Sequence, residues 1–436
     1  MNEQQPTEDE NAAAQDLIGF IDASPSPYHV AETAAALLER AGFKRASAEA
    51  AMPGTGRWLI VRGGSLVAWV GPDKLSAKTT FRLIGAHTDS PNLRIKPQPD
   101  VQRAGMDQLG VEVYGSPLLN SWLDRDLGLS GRAAVAGPDG VSTRLFRIDE
   151  PLLRIPQLAI HLDPSINSEG LLLNRQQHLA PLWATSDGAM PASFAAFLAA
   201  AVSARVEDLL AWDAMVHPVE PSRIVGLHRQ FVSAPRIDNQ LSCFTAVSAL
   251  AKFAEAADNA ADTVSVVALF DHEEIGSTSH SGAAGTFLGS VLERMWLAAD
   301  GDRAGYLRAL VEGCCVSADC AHATNPNYVD RHEPEHRIAL NGGPVLKSNA
   351  NLRYATDAPS AARWVQACRR AGVPLQRFVT RSDIGCGSTI GPLTSAQLAI
   401  PTVDVGASQL AMHSARELCG VQDVSALQAA MGAFLL

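Results

Sequence analysis

The stretch Val264-Ser-Val-Val-Ala-Leu-Phe-Asp-His-Glu-Glu-Ile-Gly-Ser277 decides the fold. Apart from one serine, residues 264–270 are apolar and rich in β-branched side chains, the composition of a strand buried on both faces. The run ends abruptly in Asp271, His272, Glu273 and Glu274. Neighbouring carboxylates at the end of a buried strand repel each other and are costly to desolvate. They call for a compensating cation, and a metal ion is the natural one. A solvated acidic loop is the ordinary alternative, and the rest of the chain has to decide between them.

Outward from this stretch the same pattern repeats. Strand-like runs at 81–86 and 314–318 lead into His87 and Asp319, and further strands are expected at 58–62, 66–70, 375–379 and 401–405. Helical periodicity over 29–42, 241–257 and 360–371 alternates with them. Continuous apolar strands alternating with helices predict an α/β fold with a parallel or mixed sheet covered on both faces. Ligands of such sheets sit at the carboxyl ends of the strands, where His87, Glu273, Glu274 and Asp319 all fall. The region from about 92 to 228 differs in character, with strand-like pieces at 111–114 and 143–148 and a long irregular segment over 162–186. Residues 1–14 are polar and acidic and read as a disordered tail.

A chain of 436 residues suits two or three domains. With 35 Lys and Arg against 46 Asp and Glu the net charge is −11, which argues against nucleic acid and anionic membrane as partners. The seven cysteines form no CxxC pair, so they are expected to be reduced core residues of a cytoplasmic protein. The N-terminus does not read as a secretory signal, and no apolar stretch is long enough to span a bilayer.

Five segments carry ligand-type residues at strand or helix ends: His87-Thr-Asp89, Asp238-Asn-Gln240, Glu273-Glu274, Asp319-Cys-Ala-His322 and His413-Ser-Ala-Arg-Glu417. Each has a plain alternative, such as a surface histidine or a helix-capping aspartate. A histidine with an aspartate two residues on also suits a metal-bound imidazole whose second nitrogen is held by a carboxylate. Two histidines, several carboxylates and no thiolate make the inventory of a dinuclear site for zinc, manganese or cobalt. Two such ions about 3.5–4 Å apart can activate a shared water, with a neighbouring free carboxylate moving its proton. The chemistry expected is hydrolysis.

Taken together, HTDSP at 87–91, RIDN at 236–239, FDHEEIGS at 270–277, SADCAHA at 317–323, GPVLKSNANLRYATD at 343–357, CGSTIGP at 386–392 and QLAMHSARE at 409–417 resemble the M18 metallopeptidases, the aspartyl aminopeptidase family, in its bacterial branch. The resemblance runs from Ser24 to the C-terminus. It implies a mixed-sheet dinuclear zinc exopeptidase core of the phosphorylase/hydrolase-like type over 15–91 and 231–436, with an inserted β-rich dimerisation domain over 92–230.

The resemblance further implies that His87 and Asp319 bind one zinc ion, Glu274 and His413 the other, and that Asp238 bridges them. Glu273 is then the general base, Asp89 orients His87, and a cis peptide follows Asp238. His161 would be a substrate contact reaching a neighbouring subunit's site, or else a metal ligand. Lys347, in a segment of Gly, Pro and Asn, is a candidate partner for an acidic substrate side chain. The expectation is an aminopeptidase acting on peptides with a free N-terminus, acidic residues among its substrates, assembled as a large homo-oligomer with a dodecamer as the family pattern. Two other readings are an N-acyl amino-acid amidohydrolase and a non-catalytic assembly protein whose metals only staple the fold.

Overall fold

The structure, a computed structural model, describes residues 5–186, 193–256 and 262–436. Two compact units divide it: Met1–Asp89, Ser222–Met412 and Glu417–Leu436 form the first, and Ser90–Pro221 with His413–Arg416 the second.

In the first unit nine strands, among the described residues, form a mixed sheet. At its centre Thr263–Phe270, Thr80–His87, Cys314–Ala318 and Thr402–Gly406 lie side by side and parallel. Alternation along Thr263–Phe270 explains why that run is apolar throughout. Val267 and Leu269 pack with the helices Ile237–Glu255 and Val421–Leu435, while Val266, Ala268 and Phe270 pack with Phe287–Ala298 on the other face. The valine, leucine and phenylalanine side chains each contribute about 1.5–3 kcal/mol on burial, so the core fixes where the strand ends. Phe270 pairs in register with His87, and Ser317 with Gly85. The polar residues that follow these strands therefore emerge at one edge.

The helices at Pro27–Arg40 and Ala358–Ala371 and the strands Gln376–Val379 and Thr402–Gly406 fall where periodicity put them, within a few residues. The disordered tail expected over 1–14 is corrected from Glu8 onward, where the helix Glu8–Ala23 begins; residues 1–4 lie outside the described residues. Thr7 and Glu10 form a reciprocal capping box, with Thr7 N–H donating to Glu10 at 2.7 Å and Glu10 N–H to Thr7 at 3.2 Å. The acidic residues that read as solvating sit in the first turn, where the helix dipole favours them, and Leu17, Ile18 and Ile21 bury behind them.

The second unit is an antiparallel sheet of six strands among the described residues, ordered Gly140–Leu153, Leu127–Gly137, Leu209–Pro218, Asn92–Arg103, Met106–Tyr114, Leu182–Thr185. Leu93, Ile95, Leu109, Leu127, Leu129 and Val216 line its core. The segment expected to be irregular over 162–186 carries a short helix, Ile166–Glu169, and the last of these strands. Residues 222–230 belong to the first unit, since the hairpin Arg223–Val225 and Phe231–Ala234 pairs onward with Glu417–Gly420. All seven cysteines are free thiols, six of them buried. Among the described residues no helix is long and apolar enough to cross a membrane.

Candidate active site

His87 closes the strand Thr80–His87 and is 1% exposed. Its Nδ1 lies 2.9 Å from the carbonyl oxygen of Asp89 and 3.6 Å from that residue's carboxylate. Its Nε2 faces Asp238 Oδ1 at 3.5 Å and Asp319 Oδ1 at 3.8 Å. Burial disfavours an imidazolium here, yet the carboxylates of Asp238, Asp319 and Asp89 overcome it and hold the ring's proton well above the usual histidine range. A pocket that draws a proton so strongly offers the same negative potential to a metal cation.

Asp238 does not cap its helix. Arg236 holds the cap position, and the backbone at Asp238 and Asn239 is non-helical, with a cis peptide between them. Two contacts from distant strands fix this irregular piece. Asp238 N–H donates to Glu417 Oε2 at 2.9 Å, and the Asn239 side chain donates to the carbonyl of Ala318 at 2.8 Å. The carboxylate of Asp238 is thereby turned toward His87.

Glu273 and Glu274 open a 3-10 turn, Glu273–Ile275, directly after the buried strand. Asp89 accepts both of their backbone N–H groups, one on each carboxylate oxygen, at 3.0 and 3.1 Å. Asp89 thus meets His87 through both its carbonyl and its carboxylate, and the same carboxylate ties the glutamate turn to the strand end. Glu273 is partly buried, and burial pushes its carboxyl up to about 9; the His87 charge opposes this, while Asp319, Glu274 and Asp89 add to it.

Ligand atoms of His87, Asp238 and Glu274 all lie within 4.8 Å of one another. A tetrahedral zinc centre with bonds of about 2.0–2.2 Å puts neighbouring ligand atoms about 3.4 Å apart. The 3.5 and 3.8 Å separations around His87 Nε2 match that spacing, and an imidazole with carboxylates is a zinc donor set. The residues present fit the ion.

Asp319 turns its second oxygen toward Lys347, whose ammonium is 3.9 Å away, donates to the carbonyl of Cys320 at 3.3 Å and lies 5.0 Å from the Tyr354 ring centre. Lys347 is 1% exposed, a buried side chain. His413 and His161 fall in the second unit. His413 is half-buried in the left-handed backbone region with Nδ1 3.0 Å from the Ser116 carbonyl, and His161 is exposed on the short turn Ile160–Leu162.

Two supporting residues had escaped the sequence reading. Glu417, 2% exposed, was quoted only as the end of a motif; a lone carboxylate entering the apolar run Leu418-Cys-Gly420 was the available signal. Cys243, whose thiol donates to the His87 carbonyl at 2.9 Å, gave none.

Comparison with known proteins agrees with this geometry. The family described as aminopeptidase I zinc metalloprotease (M18) matches residues 20–435. A probable M18 family aminopeptidase 2 of Mycobacterium leprae is 51% identical over 427 residues, covering 97% of this chain and 98% of that protein. A chain of the Ape4 and Nbr1 complex, solved by cryo-EM, superposes with a TM-score of 0.93 at 36% identity, over 99% of this chain and 87% of that one. The mApe1 dodecamer of S. cerevisiae gives 0.84 at 28% identity, over 98% and 97%.

Proposed function

From its membership of the M18 family of zinc metallo-aminopeptidases, we propose that this chain removes N-terminal residues from peptides through a dinuclear site in which Glu273 is the general base. The observation that carries this reading is the convergence of His87, Asp238 and Glu274 within 4.8 Å, with Glu273 one residue from a ligand yet outside that grouping.

In this reading His87 and Asp319 would hold one zinc ion and Glu274 and His413 the second, with Asp238 as their shared ligand; manganese or cobalt would serve in place of zinc. When bound, the ions lower the pKa of a water and polarise the scissile carbonyl. Glu273 takes the proton of the attacking water and hands it to the leaving amine. Glu273 is partly exposed and stands one residue from a proposed ligand, so its carboxylate is placed to move that proton. Asp89 fixes the turn from which Glu273 and Glu274 project.

Acidic N-terminal residues are the preferred substrates, with their side chains directed to Lys347, and His161 contacts substrate in a neighbouring subunit. The second unit serves dimerisation within a homododecamer, a reading supported by the dodecameric state of yeast mApe1. The seven free thiols favour the cytoplasm. An aminoacyl chromogenic substrate tests the core of the proposal: turnover should vanish on chelation, return with zinc, and require a free α-amine. Turnover that survives complete metal removal would overturn it.

A further inference from the structure

Two chemically identical side chains, Glu273 and Glu274, are adjacent in sequence and are assigned different work, so the turn that carries them must be held in one position. Asp89 holds it from the side of the His87 strand. A second hold comes from the residue before the pair. His272 adopts the left-handed backbone region, φ 69°, which is uncommon outside glycine although histidine is among the side chains that adopt it most readily. Its carbonyl accepts from Ser277 N–H at 2.7 Å, closing the turn from within.

The ring of His272 is anchored through Nδ1, with Nε2 turned toward a carboxylate. Nδ1 lies 2.8 Å from the hydroxyl of Ser279, and Nε2 lies 3.6 Å from Asp271 Oδ2. The hydroxyl oxygen in turn accepts from Gly282 N–H at 2.9 Å. The imidazole therefore joins the glutamate turn to the loop that follows it.

The far end of this chain of contacts is firm. Asp271 is 1% exposed, its N–H donates to Ser65 at 2.9 Å, and one of its carboxylate oxygens accepts from His272 N–H at 2.9 Å. Ser65 continues to the Ser281 carbonyl at 2.8 Å. Asp271 packs so closely on Gly64 that a Cβ there would collide with it. Strand end, histidine ring and loop 279–282 form one closed circuit of hydrogen bonds.

We infer that His272, clamped by Ser279, is a positioning residue for the Glu273–Glu274 turn, setting where the base and the ligand stand without touching substrate or metal. The inference rests on the roles proposed above for those two glutamates. Groups that hold the supports of a metal site typically change affinity or activity by about 10–100-fold when removed.

The test measures zinc affinity by chelator competition, together with kcat and KM, on the full-length zinc protein and its variants. His272→Ala and Ser279→Ala should each weaken zinc binding and lower kcat by about 10–100-fold with KM little changed. The double variant should be no worse than either single one, because both break the same contact. His272→Asn, whose carboxamide can meet Ser279 where Nδ1 does, should recover most of the loss. Wild-type zinc affinity and kcat in His272→Ala, losses that multiply in the double variant, or no recovery in His272→Asn would each overturn the inference. If His272→Ala does not fold, Ser279→Ala and His272→Asn decide the question. Retention of full zinc by Glu274→Gln, or full activity in Glu273→Gln, would instead defeat the underlying assignment.

Discussion

The ammonium of Lys347 stands 3.9 Å from Oδ2 of Asp319, in a position 1% exposed. An acidic substrate side chain would share that cation with Asp319. Lys347→Met is therefore expected to reduce kcat/KM on Asp-aminoacyl substrates by roughly 10–100-fold more than on Leu-aminoacyl ones, since a charge-assisted contact contributes about 1.5–3 kcal/mol. An unchanged Asp-to-Leu ratio, with a general loss on both, would leave Lys347 as a partner of Asp319 alone.

Glu273→Gln keeps the shape of the side chain and removes its basicity. Turnover should fall by about 10²–10⁴-fold, the usual share of a general base. Metal content, measured on the same sample by elemental analysis, should stay at the wild-type level. The combination matters, because loss of metal would point to a ligand rather than a base.

The metal-free protein should lose stability as pH rises. His87 has its pKa raised by Asp238, Asp319 and Asp89 against the effect of burial, and Glu273 is raised to about 9 by burial. Their unfolded values are about 6.5 and 4.3. A group whose folded pKa is raised supports the fold below its unfolded value and loses that contribution as pH climbs through the folded one. Denaturant midpoints of the chelated protein should accordingly decline from about pH 5 to about pH 9, with a shallower slope in the zinc-loaded protein. Zinc affinity should move the other way, strengthening with pH as protons cease to compete. A chelated protein equally stable across that range would contradict the clustering of charge at His87.

If His161 serves a neighbouring subunit's site, two inactive variants should rescue one another. Co-expressed Glu273→Gln and His161→Ala chains are expected to form mixed oligomers with measurable activity, although each homo-oligomer is impaired. Absence of activity in verified mixed assemblies would assign His161 to its own subunit or to no catalytic role.

Much of this arrangement was legible because the strands carry it. Runs buried on both faces must be apolar throughout, so the polar residues ending them stood out at His87, Glu273 and Asp319. The parallel register that aligns those ends then made neighbours of residues far apart in sequence. What escaped notice acts through backbone groups or over long separations. Glu417 supports Asp238 from 179 residues away, and Cys243 meets a carbonyl. Asp238 was open to a capping role because the sequence pattern places it at a helix start, whereas its irregular backbone is imposed by tertiary contacts. The helix Glu8–Ala23 was hidden because a capping box and a solvated acidic tail have similar composition.

The pairing of Phe270 with His87 carries a consequence for biogenesis. A slip of one residue between these strands would turn Val267 and Leu269 to the opposite face and carry the glutamates about 3.3 Å along the strand, beyond what metal coordination tolerates. Chains misaligned during synthesis would then be unable to load zinc. Stoichiometric metal uptake would serve as a readout of correct strand alignment, separating properly folded molecules from compact impostors before any substrate is met.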